Sequence, residues 1–463
     1  MKCAKLFLYA SVAVLTATAG CKKFLERPPQ GQLTQEEALN SEQSLLNLLN
    51  GVYGYIGDGD YMGGRQQTLS ELLGDHLKGD KFTGDYAEIY KRQNSFFGGT
   101  RDAYYAKAYK VIDKANVALE NLDLATTQKN SAQGQALFLR GMAHFELVRL
   151  FAQPWGYTPD NTQPGVPLKT HTGLASEPRA TVKDVYAQVI ADLKGADSLL
   201  PAANANGKFY LPTKWAAKAY LAKVYFQMND FANAFKYADD VIKSNKFQLD
   251  ATYDKRYSLG QSTEGIFVIA DNTTGNYHPG SELRSNFKSN TSIPVLNLTD
   301  MFYNYATARP TDVRKAWYSN TLQPGYNVLT KFNKDFFELP ILHLTEIKLI
   351  RAEAGAELGG AALATAITDI NDILTRAYGG TAQNLPSTAT AATVIATTRS
   401  ERELELVGEG NRIQEIKRIG ARSNMNVDRR GSTWNCNGLI LQFPKNEQDA
   451  NINFQMNPEG GCF

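Results

Sequence analysis

Cysteine is scarce in this chain: four in 463 residues, at Cys3, Cys21, Cys436 and Cys462. No C-x-x-C and no cysteine–histidine set at zinc-ligand spacing occurs, which excludes a zinc ribbon and a thioredoxin-type redox centre. His144 in HFE and His343 in HLTE have no second histidine at ligand intervals and read as structural histidines. An excess of one charge sign is also lacking, with 49 Lys plus Arg against 47 Asp plus Glu. Such a balance carries no electrostatic footprint for nucleic acid. The chain has no glycine-rich phosphate loop, no H-E-x-x-H and no G-x-S-x-G, so the common nucleotide, zinc-protease and serine-hydrolase chemistries have no carrier here. Beyond the leader, no apolar run is long enough to span a bilayer.

What is present begins with Lys2 and Lys5, the apolar run Leu6 to Leu15, small residues from Thr16 to Gly20, and Cys21. A basic start, a short apolar segment and a small-residue exit make a secretory signal over residues 1–20. Losing Lys2 and Lys5 with it leaves a mature chain of zero formal charge. Gly20-Cys21 resembles a bacterial lipoprotein box, with Thr18 where a large aliphatic residue is usual. Acylation of Cys21, at about 0.8 kcal/mol per buried methylene, would anchor the protein at a membrane without a spanning helix. Residues 21–33, with Pro28, Pro29 and Gly31, read as a tether. Cys436 and Cys462 remain, either as one disulfide closing the C-terminal tail or as two thiols; a single pair gives no pattern that decides.

The strongest periodic signal runs from Thr213 to Ser244. Leu221, Val224, Tyr225 and Met228 share one helical face, and Phe231, Ala234, Phe235, Ala238, Val241 and Ile242 share another. Asn229-Asp230 between them breaks one helix and caps the next. Such a helical hairpin resembles a tetratricopeptide repeat, which cannot bury its apolar face alone and requires neighbours. They are legible. Thr34 with Glu37 forms a capping box before a stripe at Leu45, Leu48, Leu49, Val52, Tyr53 and Ile56. Further helices follow at Tyr105 to Leu119, Leu137 to Phe151 and, capped by Thr181, Val182 to Leu200. The pattern returns in LTEIKLIRAEAGAELG and AITDINDILTRA, so hairpins are expected within 104–244 and 344–378. The fold class is mainly α, with minor short strands, one of them IFVIAD from Ile266 to Asp271.

From Phe247 to Leu339 the helical signal fades into Tyr, Trp, Asn, Gly and Pro. A long irregular insertion in a helical body reads as a ligand-binding surface. RSERELELVGEGNRIQEIKRIG, beginning at Arg399, reads as one charged helix opening the C-terminal part, 399–463. Its Glu401, Glu403, Glu405 and Glu409 fall among Arg399, Arg402 and Arg412 at spacings that favour ion pairs on a solvated face.

In order along the chain, LRGMAHFELVRLF, TKWAAKAYLAKVY, EIKLIRAEAGAELG with DINDILTRA, SERELELVGEGNRIQEIKR, LQFPKNE and NFQMNP resemble segments of the SusD/RagB family, the nutrient-binding lipoproteins of Bacteroidetes. His343 and Leu374 stand where arginine is common in that family, and Glu415 where aspartate is usual; all three read as helix packing positions. Lys22-Lys23 departs from the acidic residues that follow the lipidated cysteine in many relatives. The resemblance implies that residues 34–463 form one body of four repeat-like hairpins. It further implies a non-catalytic, lipid-anchored protein of the outer membrane, facing the cell exterior. Such a protein passes an oligosaccharide to a SusC-like TonB-dependent barrel. The residues themselves name no cofactor and no metal ligand, and leave calcium binding by a loop carboxylate cluster open.

Sugar rings offer apolar C–H faces to aromatic rings and hydroxyls to polar side chains. On that chemistry the loop residues expected to bind ligand are Tyr86, Trp155, Tyr277, Trp317 and Tyr326. Trp434, beside Cys436, is the weaker candidate, and Trp215 reads as core. Two rival readings are a lipid-anchored scaffold that binds peptides along its repeat groove and a glycosidase using two of the clustered glutamates.

Overall fold

The computed structural model describes residues 38–95, 98–173, 177–204, 210–260, 262–274 and 278–462. The leader, Cys21, the tether and the Thr34–Glu37 box lie outside the described residues. Among the described residues the first helix of length, α1 (Glu42–Gly57), starts on a Ser41/Ser44 capping box and buries Leu45, Leu49, Val52, Tyr53 and Ile56.

Among the described residues eight helices form the scaffold: α1, α4 (Gly99–Glu120), α5 (Lys129–Phe151), α6 (Val182–Leu199), α7 (Lys214–Gln227), α8 (Phe231–Lys243), α11 (Leu344–Leu358) and α12 (Gly360–Tyr378). Each packs on the next, so the chain builds four antiparallel hairpins in a stack. The α7–α8 break is the one read from the sequence: Asn229 takes a left-handed φ of 58°, and Asp230 accepts a hydrogen bond from the Asn233 amide at 3.1 Å. Small residues let the hairpins approach. A Cβ on Gly355 of α11 would stand 2.7 Å from the Ala362 carbonyl of α12 and 3.0 Å from the Phe235 ring of α8.

The remaining elements hang on this stack. They are α2 (Arg65–Leu73) and α3 (Gly84–Tyr90), β1 (Pro164–Pro167) paired with β2 (Arg179–Thr181), β3 (Gly265–Ile269), α9 (Ser281–Phe287) and α10 (Asp300–Thr307). The hairpin β4 (Tyr318–Ser319) and β5 (Val328–Leu329), then β6 (Leu339–His343), α13 (Ala391–Glu405), α14 (Arg412–Ser423) and α15 (Lys445–Ala450) complete them. Strand β3 pairs antiparallel with β6, setting Gly265 opposite His343 and Ile269 opposite Leu339. This pairing ties the early part of the insertion to the chain at its end.

Several sequence expectations change here. The segment 247–339 is not a loose surface: Tyr253, Phe267, Phe287, Phe302, Trp317, Tyr318, Phe332 and Phe337 are all buried in the main core. Polar composition concealed these because the aromatics fall at no fixed period. The charged segment from Arg399 is two helices, not one. Gly408 and Gly410, at φ of 76° and 77°, turn the chain between α13 and α14, and a Cβ on Gly408 would stand 2.8 Å from Phe332. Trp215 is half-buried, its indole N–H donating to the Ala202 carbonyl at 3.0 Å.

The glutamates of this segment are not on a solvated face either. Glu401 and Glu405 are buried and pair with Arg314 of the insertion; Glu405 also meets Arg256 and Arg376. Glu403 accepts from Arg429, and Glu409 from Lys331. Helical spacing showed the charges but not the partners, which come from distant segments. His343 is the N-cap of α11 rather than a residue within it; its Nδ1 accepts from the Glu346 amide at 3.4 Å, and its Nε2 meets Glu409 at 2.9 Å. Leu374 is buried in α12, while Glu415 in α14 pairs with Arg402 and Arg418.

Candidate functional site

The short helix α3 carries Tyr86, and α9 of the insertion lies against it. The Tyr86 hydroxyl donates to Glu282 Oε1 at 2.9 Å and accepts from Asn286 Nδ2 at 3.1 Å. Arg65, at the start of α2, reaches Glu282 Oε1 at 3.1 Å and Asp60 Oδ1 at 2.9 Å. Burial and the Glu282 charge push the Tyr86 phenol up to about 12, so it remains a donor at neutral pH. The face thus combines a half-buried aromatic ring with a carboxylate pair, a guanidinium and an amide. These are the groups that a sugar needs, a ring to stack on and donors and acceptors for hydroxyls.

The other residues singled out from the sequence are not brought to this face by any contact seen here. Tyr277 lies outside the described residues. Trp155 is half-buried and packs its ring on Tyr186, with centroids 5.3 Å apart. Tyr326 sits half-buried in the β4–β5 turn, its amide donating to the Gln323 carbonyl. Trp317 is only 7% exposed and packs edge-on to Tyr253 at 4.9 Å, beneath a separate cleft. Trp434 is buried, with its indole N–H on Asn424 Oδ1. Sequence reasoning missed Arg65, Glu282 and Asn286; nothing but their tertiary meeting with Tyr86 marks them.

Cys436 and Cys462 are joined, with Cα atoms 5.3 Å apart, and tie the tail beside Trp434. His144 is fully buried, with Nδ1 on the Arg140 carbonyl and Nε2 accepting from the Lys169 amide. Burial drives its pKa down to about 3, so it is a neutral core histidine. Asp75, His76 and Glu403 bring three possible metal-ligand atoms within 4.8 Å of one another. Arg412 grips Asp75 through two bonds of 2.7 and 2.6 Å, and Arg429 holds Glu403. This donor set is already neutralised by guanidinium groups, as in an ion-pair knot rather than a metal centre.

Comparison with known proteins bears on what this arrangement serves. A family profile described as "Starch-binding associating with outer membrane" matches residues 23–226, and one described as "SusD family" matches residues 186–458. SusD-like protein P2 of Formosa agariphila is 29% identical over 270 residues, 56% of this chain and 51% of that protein. A SusD-like protein of Bacteroides ovatus is 22% identical over 312 residues, 62% of this chain and 54% of its own length. The chain spans about half the length of these curated relatives. Among solved structures, a SusD superfamily protein from Bacteroides vulgatus superposes with a TM-score of 0.78 at 22% identity, covering 90% of this chain and 99% of that one. Surface glycan-binding protein A from Bacteroides uniformis superposes with a TM-score of 0.73 at 19% identity, covering 90% and 99%. The four-hairpin scaffold is thus a fold that these proteins share.

Proposed function

The chain belongs to the SusD family, and on that premise we propose that it is a non-catalytic, lipid-anchored carbohydrate-binding protein of the outer membrane. It captures an oligosaccharide at the Tyr86 face and passes it to a TonB-dependent barrel. The observation that carries the site is the meeting of Tyr86 with Glu282 and Asn286. It joins at one half-buried place the short helix α3 and the helix α9 of the long insertion.

Two features support the rest of the reading. The glutamates that made a glycosidase conceivable are committed to Arg314, Arg256, Arg376, Arg429 and Lys331, which leaves none of them poised at an open cleft as an acid–base pair. The insertion is folded, its aromatics buried in one core with the repeat helices, whereas a bare peptide-binding scaffold would need no such insertion.

The test is calorimetric titration of the chain from Lys22 onward with oligosaccharides, host glycans and peptides, beside Tyr86→Ala. Saturable binding of one glycan class is expected, weakened roughly tenfold or more in the variant with its circular dichroism unchanged. Binding to peptides alone would overturn the carbohydrate assignment. Recovery of an outer-membrane barrel in mild detergent is expected; recovery of periplasmic proteins only would overturn the delivery role.

A further inference from the structure

A cleft of about 760 Å³ opens between the insertion and the end of α12. Its size falls in the range of small-molecule sites. Tyr253, Tyr257 and Trp317 form the floor, and Asp254, Asn290 and Lys334 stand exposed at the rim. The floor is rigidly held. Tyr253 packs edge-on against Trp317, the Arg376 guanidinium lies 4.3 Å from the Tyr253 ring centre, and the Lys331 ammonium lies 4.6 Å from that of Trp317. Arg376 and Lys331 are themselves fixed by the buried Glu405 and by Glu409.

The rim keeps hydrogen-bonding capacity in hand. Lys334 donates to the Asp254 carbonyl and to Ser258 Oγ, which occupies two of its three N–H groups. Asp254 presents an exposed carboxylate, and Asn290 makes one long contact, 3.4 Å from its Nδ2 to the Asn333 carbonyl. An acceptor, a donor and an amide around an aromatic floor suit a neutral polyhydroxylated ring better than a phosphate or a cation. The cleft also adjoins the Tyr86 face. Asn286, which contacts Tyr86, precedes Asn290 by four residues, a reach of at most about 14 Å along the backbone.

We propose that this cleft is a second saccharide subsite, filled by a unit of the same oligosaccharide whose other end lies at Tyr86. The inference rests on the carbohydrate reading above. Once one unit is held, the next binds as an intramolecular event, so affinity rises with chain length without either subsite being tight.

The experiment compares di- and hexasaccharides of the malto-, cello-, xylo- and manno- series, titrated into the wild type, Asp254→Ala/Lys334→Ala and Tyr86→Ala. For the recognised series, the wild type is expected to bind the hexasaccharide at least tenfold more tightly than the disaccharide. In the double variant that ratio falls to near one, whereas Tyr86→Ala weakens both lengths. Asn290→Trp, which narrows the rim by bulk instead of removing charge, is expected to reduce the ratio in the same way. A ratio unchanged in both cleft variants, or no length dependence in the wild type, would overturn the second subsite and leave the Tyr86 site standing. Failure of the wild type to bind any series would overturn both.

Discussion

Arg314 and Glu405 stand 91 positions apart in the chain, and their side chains meet inside the protein at 3.1 Å, Nη1 to Oε1. Neither is measurably open to solvent. Glu405 accepts in addition from Arg376 at 3.1 Å, from Arg256 at 3.3 Å and from the Tyr253 hydroxyl. One carboxylate at the end of α13 therefore helps neutralise three guanidinium groups drawn from the insertion and from α12, and it fastens the insertion to the repeat stack.

Glu405→Gln preserves the shape and deletes the charge. Removing one partner of a buried ionic group leaves the other uncompensated, which costs roughly 3–5 kcal/mol. The urea midpoint is expected to fall accordingly while the slope of the transition stays the same. A loss under about 1 kcal/mol would show that Glu401, Glu264 and Asp312 neutralise the arginines without it.

Acid should dismantle the same interior. Burial alone would raise the Asp75 carboxyl, but the hydrogen bonds and charge of Arg412 more than reverse this and hold it at about 2. For Glu264 burial is likewise outweighed, by Arg256 and Arg376, to about 2. The unfolded values lie near 4, so as pH falls the unfolded chain takes up protons before the folded one does. The stabilisation is complete above about pH 5 and disappears between about pH 4 and 2. The thermal midpoint is expected to decline gently below about pH 6.5, where the unfolded chain can charge His144 and the folded one cannot, and to drop steeply below 4. Asp75→Asn should make that drop shallower, and an equally steep drop would remove Asp75 from the account.

The repeat hairpins were legible because each states itself locally. Leu221, Val224 and Tyr225 mark a face, Asn229-Asp230 a break, and Phe231, Ala234 and Val241 the returning face. The ion-pair interior was not. Glu401, Glu405 and Glu409 are spaced as a solvated helix face would be, and nothing in that spacing says that Arg314, Arg256 and Lys331 will arrive from a segment of no fixed period. The proposed site was half legible for a related reason. Tyr86 is visible as an aromatic residue in a polar loop, whereas Glu282 and Asn286 acquire meaning only when α9 is laid against α3.

The disulfide between Cys436 and Cys462 closes a loop with a sequence separation of 26. Loop-closure entropy for that length gives about 3–4 kcal/mol of stabilisation. Cys436→Ser/Cys462→Ser is expected to unfold at lower denaturant by about that amount, and reduction of the wild type should reproduce the shift. A double variant as stable as the wild type would mean that the tail is held by its packing, chiefly Phe454 against Phe443, instead of by the bond.

Membrane attachment can be separated from export. Among the described residues no helix is long and apolar enough to cross a membrane, and Cys21, expected from the sequence to follow the leader, lies outside them. Two acyl chains, at about 0.8 kcal/mol for each buried methylene, hold a protein at a bilayer more firmly than one reversible surface contact. Cys21→Ala is thus expected to move the protein from sedimented membranes to the soluble fraction of the cells that make it. Export itself should persist, because the apolar run Leu6 to Leu15 is untouched. If the variant stays with the membranes and comes away in mild detergent together with a barrel, protein contact is the principal hold and the lipid is secondary.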